Sequence, residues 1–146
     1  EPISEKFLIR RTLSTLGILK FGNKVENRML ALIPLCGFKR EKMLGEFYYR
    51  KTDKPVTFDK YRVETGEKAV RRYETDFTPY EIIALIKAAL EDKVALYTEE
   101  IASVACVALR LPKVTDKFAA YINDCVTLGE ERGLFVRSVS DRISLA

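Results

Sequence analysis

The sequence predicts a mainly α, α+β chain of two similar lobes, each made of helices followed by a short β-hairpin. Three observations carry this. Apolar residues recur at helical spacing in five stretches, β-prone runs follow Gly45 and Gly133, and the two halves echo one another about 90 residues apart. With 47% hydrophobic and 32% charged residues among 146, the chain has the composition of a folded protein of one domain or two small ones.

Ile3 to Leu16 reads as the first helix, with Ser4 as N-cap and Gly17 taking the left-handed turn that ends it. The second covers Asn23 to Leu35, with Val25, Met29, Leu32 and Ile33 on one side and Pro34 placed to close it early. Glu46-Phe47-Tyr48-Tyr49-Arg50 then reads as a strand. A polar turn at Thr52-Asp53-Lys54-Pro55 and a second strand at Val56-Thr57-Phe58 complete the predicted hairpin. The charged stretch from Tyr61 to Phe77 reads as a connector, irregular or partly strand.

Thr78-Pro79-Tyr80-Glu81 marks a helix start, with Thr as cap, Pro at the first position and Glu81 closing a capping box. That helix runs to about Asp92, with Ile82, Leu85, Ile86, Ala89 and Leu90 apolar. Thr98 begins the next, and a last one runs from about Thr115 to Glu131, stopped by Gly133. Leu134–Val139 and Arg142–Leu145 form a closing hairpin turned at Ser140-Asp141.

The echo between halves pairs Ser4-Glu5-Lys6-Phe7 with Thr98-Glu99-Glu100-Ile101, and Gly45-Glu46-Phe47-Tyr48 with Gly133-Leu134-Phe135-Val136. Two consecutive helices and a hairpin match a helix-turn-helix with a wing. The predicted fold is therefore a tandem of winged-helix-like lobes: residues 1–62 the first, 63–77 a connector, 78–146 the second. The first copy lacks an evident leading helix.

Charge separates the lobes. Residues 1–62 carry 14 Lys/Arg against 7 Asp/Glu, and residues 63–146 carry 11 against 14. A basic half suits an anionic partner, while an acidic half serves another purpose. The second helix of a helix-turn-helix enters the major groove, while the first helix and wing touch phosphates. The candidate nucleic-acid-binding residues are therefore Lys20, Asn23, Lys24, Asn27 and Arg28 on the second helix, Arg10 and Arg11 on the first, and Lys51 and Lys54 on the wing. Lys39, Arg40 and Lys42 add charge nearby. In the second lobe, Asp116, Asp124, Glu130 and Glu131 oppose a phosphate backbone, so that lobe is expected to dock on protein.

No catalytic residues, metal ligands or cofactors are expected. Histidine is absent, which removes Ser-His-Asp and Cys-His catalysis and the histidine-bearing zinc sites. No phosphate-binding glycine loop occurs. Glu99-Glu100 and Glu130-Glu131 are adjacent pairs that point apart on a helix, and Glu91-Asp92-Lys93, similar to a nuclease E-x-K, lacks an acidic partner on a preceding strand. Cys36, Cys106 and Cys125 form no C-x-x-C pair and read as buried thiols. No membrane span or secretory signal is present, and the missing initiator Met predicts a cytoplasmic piece of a longer polypeptide.

The opening Pro2-Ile3-Ser4-Glu5-Lys6-Phe7-Leu8-Ile9-Arg10-Arg11 resembles the start of an uncharacterised C-terminal domain of large bacterial proteins related to superfamily I helicases. The likeness continues through a stop near Gly17, Lys20 to Ile33, Phe47-Tyr48-Tyr49, Tyr61-Arg62, the proline-led helix at Thr78 to Ile86 and Asp141-Arg142-Ile143-Ser144-Leu145. That family often has an Arg-x-Gly-Ser-type turn before its second helix. Here Lys20-Phe21-Gly22-Asn23-Lys24 keeps the glycine, while Leu111-Pro112-Lys113-Val114-Thr115 lacks it. The resemblance implies helicase motor domains and often a nuclease-like module upstream, with this chain a helicase-associated accessory domain. With the basic first lobe, the expected function is a non-enzymatic module of a helicase-related protein that binds DNA or RNA through that lobe. The alternative is a protein-interaction or structural capping domain that touches no nucleic acid.

Overall fold

A computed structural model describes residues 2–51, 55–63, 65 and 70–146. Among them are five α-helices and six strands, the strands forming two three-stranded antiparallel sheets in an α+β fold. The chain divides into two compact units. Unit 1 comprises Glu1–Val56, Glu64–Arg72 and Asp76–Thr78; unit 2 comprises Thr57–Val63, Tyr73–Thr75 and Pro79–Ala146.

Unit 1 opens with β1 (Ile3–Ser4), which leads directly into α1 (Glu5–Thr15). The Ser4 hydroxyl caps α1 by accepting the Phe7 N–H at 3.2 Å. At the other end the Ile18 N–H reaches the Leu13 carbonyl at 2.9 Å while Gly17 takes φ 77°, the left-handed stop expected there. The next helix, α2 (Asn23–Leu32), tightens at Pro34 into a 3-10 turn (Ile33–Cys36). Val25, Met29 and Leu30 of α2 pack with Ile3, Leu8 and Phe21 around the buried Ile9, Leu13, Ile33 and Tyr49.

The hairpin of unit 1 differs from the expected one. Its strands are β2 (Lys39–Met43) and β3 (Glu46–Arg50), with Met43 opposite Glu46 and the two-residue turn at Leu44-Gly45. Both turn residues have positive φ, 49° and 82°, as a turn matched to strand twist requires. Val56-Thr57-Phe58 is not a strand, and the predicted turn residues Thr52, Asp53 and Lys54 lie outside the described residues. The expected strand at 46–50 is present, but its partner precedes it. β1 completes the sheet on the other edge of β3, with Ile3 opposite Tyr49 and Ser4 opposite Tyr48.

The segment expected as a polar connector contributes buried residues. Arg72, Asp76 and Phe77 are all buried. The Arg72 guanidinium lies 4.8 Å from the Phe7 ring centre and 4.1 Å from that of Phe77, and donates to the Asp76 carbonyl at 2.9 Å.

Unit 2 runs α3 (Pro79–Lys93), β4 (Ala95–Leu96), α4 (Thr98–Ala108), α5 (Asp116–Glu131), β5 (Phe135–Arg137) and β6 (Ile143–Leu145). α3 packs against α4, α5 and β6, and α5 also packs on α4 and β5. Ile82, Ile86, Ile101, Phe118, Ile122, Val126, Phe135 and Ile143 are fully or almost fully buried. α5 starts beside Thr115, near its expected start, and the Thr115 hydroxyl caps it by accepting the Phe118 N–H at 3.1 Å. α4 begins at Thr98 as expected, with Tyr97 as its N-cap, and the Tyr97 N–H donates to Glu100 Oε2 at 2.8 Å. Glu81 Oε1 accepts from the Arg62 backbone and guanidinium, each at 3.2 Å.

Both units therefore share strand–helix–helix–hairpin, and in both sheets the first strand pairs with the last: β1-β3-β2 and β4-β6-β5. The internal repeat stands at this level, with a correction in alignment. Gly45 turns between hairpin strands, whereas Gly133 precedes the hairpin. The counterpart of Gly133 (φ 69°) is Gly37 (φ 73°), each following a helical segment and leading into the first hairpin strand. Unit 2 alone begins with a further helix, α3.

Candidate nucleic-acid interface

The helix α2 has one face fixed in the unit 1 core, which determines what the other face presents. At about 100° per residue, Asn23, Lys24, Asn27 and Arg28 fall within roughly 140° of arc, on the side away from Val25 and Met29. All four are exposed, as is Lys20 just before the helix. Lys20, Lys24 and Arg28 form no ion pair with any other described residue, so their charge is directed to solvent. Glu26, the acidic residue of α2, lies outside this arc and is half-buried. The structure thus brings four of the nine sequence-predicted residues together on one helix face, with Lys20 exposed three residues before the helix.

The remaining four fare differently. Arg10 is engaged within unit 1: its guanidinium pairs with both Asp76 carboxylate oxygens and donates to the Arg71 carbonyl at 3.2 Å. Asp76 is 1% exposed while the Arg10 side chain is partly exposed, so the carboxylate is shielded from water and the Arg10 charge is met internally. Arg11 is exposed, with its guanidinium carbon 6.0 Å from the Phe7 ring centre. Lys51, expected on the wing, is exposed and directly follows β3, at the end of the hairpin away from the Leu44-Gly45 turn. Lys54 lies outside the described residues.

Sequence reasoning gave β2 no role as a strand, yet it carries Lys39, Arg40 and Lys42, all exposed. Arg40 stacks 3.5 Å over the Phe47 ring centre and contacts Glu5 Oε2 at 2.9 Å, which positions the guanidinium but partly neutralises it. Glu5 Oε2 also accepts the Tyr49 hydroxyl at 2.8 Å. Burial and that carboxylate both hold the Tyr49 hydroxyl above its ordinary pKa. Lys39 lies 3.8 Å from Glu41, itself bonded to Arg50 at 2.7 Å. Lys42 is the hairpin cation with only a ring contact, 5.6 Å from Phe47.

In unit 2 the helix in the same position, α5, buries Phe118, Tyr121, Ile122, Cys125 and Val126 and exposes Asp116, Lys117, Asn123, Asp124, Thr127 and Glu131. Its exposed face is net negative where that of α2 is net positive. Glu130 is half-buried and held by Arg137 through two bonds, at 3.0 and 3.2 Å. A groove of about 580 Å³ lies among Tyr97, Glu99, Ala119, Asn123, Arg137 and Asp141.

Of the thiols, Cys106 and Cys125 are buried as expected, and burial pushes both above the ordinary thiol range. Cys36 is exposed, contrary to expectation, because Pro34 turns the chain out of α2 before the helix can carry residue 36 inward. Among the described residues no cluster of three His, Cys, Asp or Glu could hold a metal ion, and no helix is long and apolar enough to cross a membrane. No protein-family model, curated protein or solved structure matches this chain.

Proposed function

We propose that this chain is a non-catalytic accessory module that binds DNA through unit 1, with α2 and the Lys39–Arg50 hairpin as the contact surface. In this reading each unit is a winged-helix variant: α1 and α2 form the helix-turn-helix of unit 1, its hairpin is the wing, and in unit 2 α3 precedes the corresponding set. The observation that carries it is the exposed pair Lys24 and Arg28, unpaired among the described residues and interleaved with Asn23 and Asn27 on one helix face, with the exposed Lys20 just before that helix. Cations on a rigid convex helix bind a phosphate backbone by releasing its counterions, and amides beside them hydrogen-bond base edges. The helicase-related parent implied by the resemblance of Pro2 to Arg11 supplies the context, in which this module helps the motor engage its substrate. The acidic exposed face of α5 favours a second role for unit 2, contact with protein, in place of a second nucleic-acid site.

The test is binding of the whole chain to duplex DNA, single-stranded DNA and RNA at two salt concentrations. Three phosphate contacts lower affinity roughly fortyfold between about 50 and 200 mM salt. The paired substitutions Lys24→Glu and Arg28→Glu should abolish binding while the unfolding midpoint stays unchanged, since both side chains are exposed. Salt-insensitive binding that survives the charge reversal supports the protein-interaction reading instead.

A further inference from the structure

On the reading that α2 meets duplex DNA, we infer that its exposed face selects A·T-containing sequence through an uncharged stripe of Asn23, Asn27 and Ala31. These residues recur every four positions and drift only about 40° per step around the helix. All three are exposed, and Asn23 and Asn27 take no hydrogen bond from another described residue. Successive members are about 6 Å apart along the axis, close to two base-pair steps of about 3.4 Å. Lys24 and Arg28 form a parallel row one residue further round, so the cations flank the stripe without interrupting it.

The chemistry of the stripe fits one kind of base pair. An Asn amide matches adenine in the major groove, accepting from the N6 amino group and donating to N7, and an exposed Ala methyl packs on the thymine methyl. Guanine offers two acceptors there and favours Arg or Lys. Lys24 and Arg28 both lie at the edge of the stripe, outside it. The apolar side of α2 is anchored on Ile9, Leu13 and Tyr49, so the helix cannot roll to present other residues. The corresponding face of α5 has Asp116 and Asp124 among its exposed residues, which leaves a single reading helix per chain.

Selection of duplexes from a randomised pool by the whole chain, followed by competition between an A·T-containing and a G·C-only duplex of equal length, tests this. The expected result is enrichment of adenines about two steps apart and a preference of about tenfold or more for the A·T duplex. Asn23→Ala combined with Asn27→Ala should remove most of that preference, lowering affinity for the A·T duplex more than for the G·C duplex, while the salt dependence set by the phosphate contacts is retained. Placing 7-deazaadenine, which lacks the N7 acceptor, in the preferred duplex should weaken binding of the unaltered chain and have no further effect on the double Asn variant. Equal binding of both duplexes overturns the inference, and so does an A·T preference that is undiminished in the double Asn variant. Either result leaves the proposed function intact if Lys24→Glu with Arg28→Glu still abolishes binding. Failure to bind any duplex removes both.

Discussion

Arg10 and Asp76 stand 66 residues apart in sequence, yet the guanidinium of one closes on both carboxylate oxygens of the other. The pair ties α1 to the segment that also places Arg72 between Phe7 and Phe77. Two charge-assisted bonds to a carboxylate that is almost fully buried are strong, and removing one partner leaves the other charge without compensation. Asp76→Asn should destabilise the protein by about 1–3 kcal/mol, the discount from a fully buried pair reflecting the partial exposure of Arg10. Urea unfolding measures this, and an unchanged midpoint would show the pair to be incidental.

Leu44 occupies the first position of the Leu44-Gly45 turn at φ 49°, a region that disfavours branched side chains and suits Asn. Leu44→Asn is therefore expected to stabilise unit 1 by about 0.5–1 kcal/mol, although it removes a partly apolar side chain. A rise in thermal midpoint checks it, and a fall would mean that Leu44 contributes packing that outweighs the backbone strain.

This turn also explains where the sequence misled. A hairpin signal rests on Asn-Gly or Asp-Gly between alternating apolar runs, and here Leu stands in the Asn position while Lys39-Arg40-Glu41-Lys42 reads as solvated charge. Charged residues suit an edge strand, because they discourage pairing with other chains, so β2 is physically ordinary but invisible to a search for apolar alternation. β1 and β4 have two residues each, too few to show a period. The legible parts were those fixed locally: the Ser4 cap, the start of α5 near Thr115, the Gly17 stop, and the helical spacing that placed Lys24 and Arg28 away from Val25 and Met29. The Arg10–Asp76 pair was not legible, because nothing local links residues so distant, and Arg10 therefore read as an available phosphate ligand.

Gly129 of α5 faces Phe135 of β5, and a Cβ built at Gly129 would overlap the aromatic ring. Gly→Ala inside a helix ordinarily stabilises by about 1 kcal/mol. Here the overlap should reverse the sign, making Gly129→Ala destabilising by about 1–2 kcal/mol, and Phe135→Leu in the same chain should recover part of the loss. Denaturant midpoints of the two single variants and the double variant give the comparison. Stabilisation by Gly129→Ala alone would contradict the packing.

The thiols predict a labelling pattern. Cys36 is exposed, while burial raises the pKa of Cys106 and Cys125 above the ordinary 9.0. Raised values favour the protonated thiol in the folded state. That contribution to stability is complete below pH 9 and lost as pH climbs through the raised values. Native protein at pH 8 should take up one equivalent of iodoacetamide, at Cys36, and three equivalents in denaturant, as read by intact mass. Rapid labelling at Cys125 without denaturant would contradict its burial.

The central claim is that the α2 face, and not its α5 counterpart, meets nucleic acid. Titration of the isotope-labelled chain with duplex DNA, followed by amide chemical shifts, tests this at residue level. The expected result is salt-sensitive shifts concentrated at Lys20 to Arg28 and along the Lys39–Arg50 hairpin, with Asp116 to Glu131 unmoved. Shifts centred on α5, or none at saturating duplex, would contradict it.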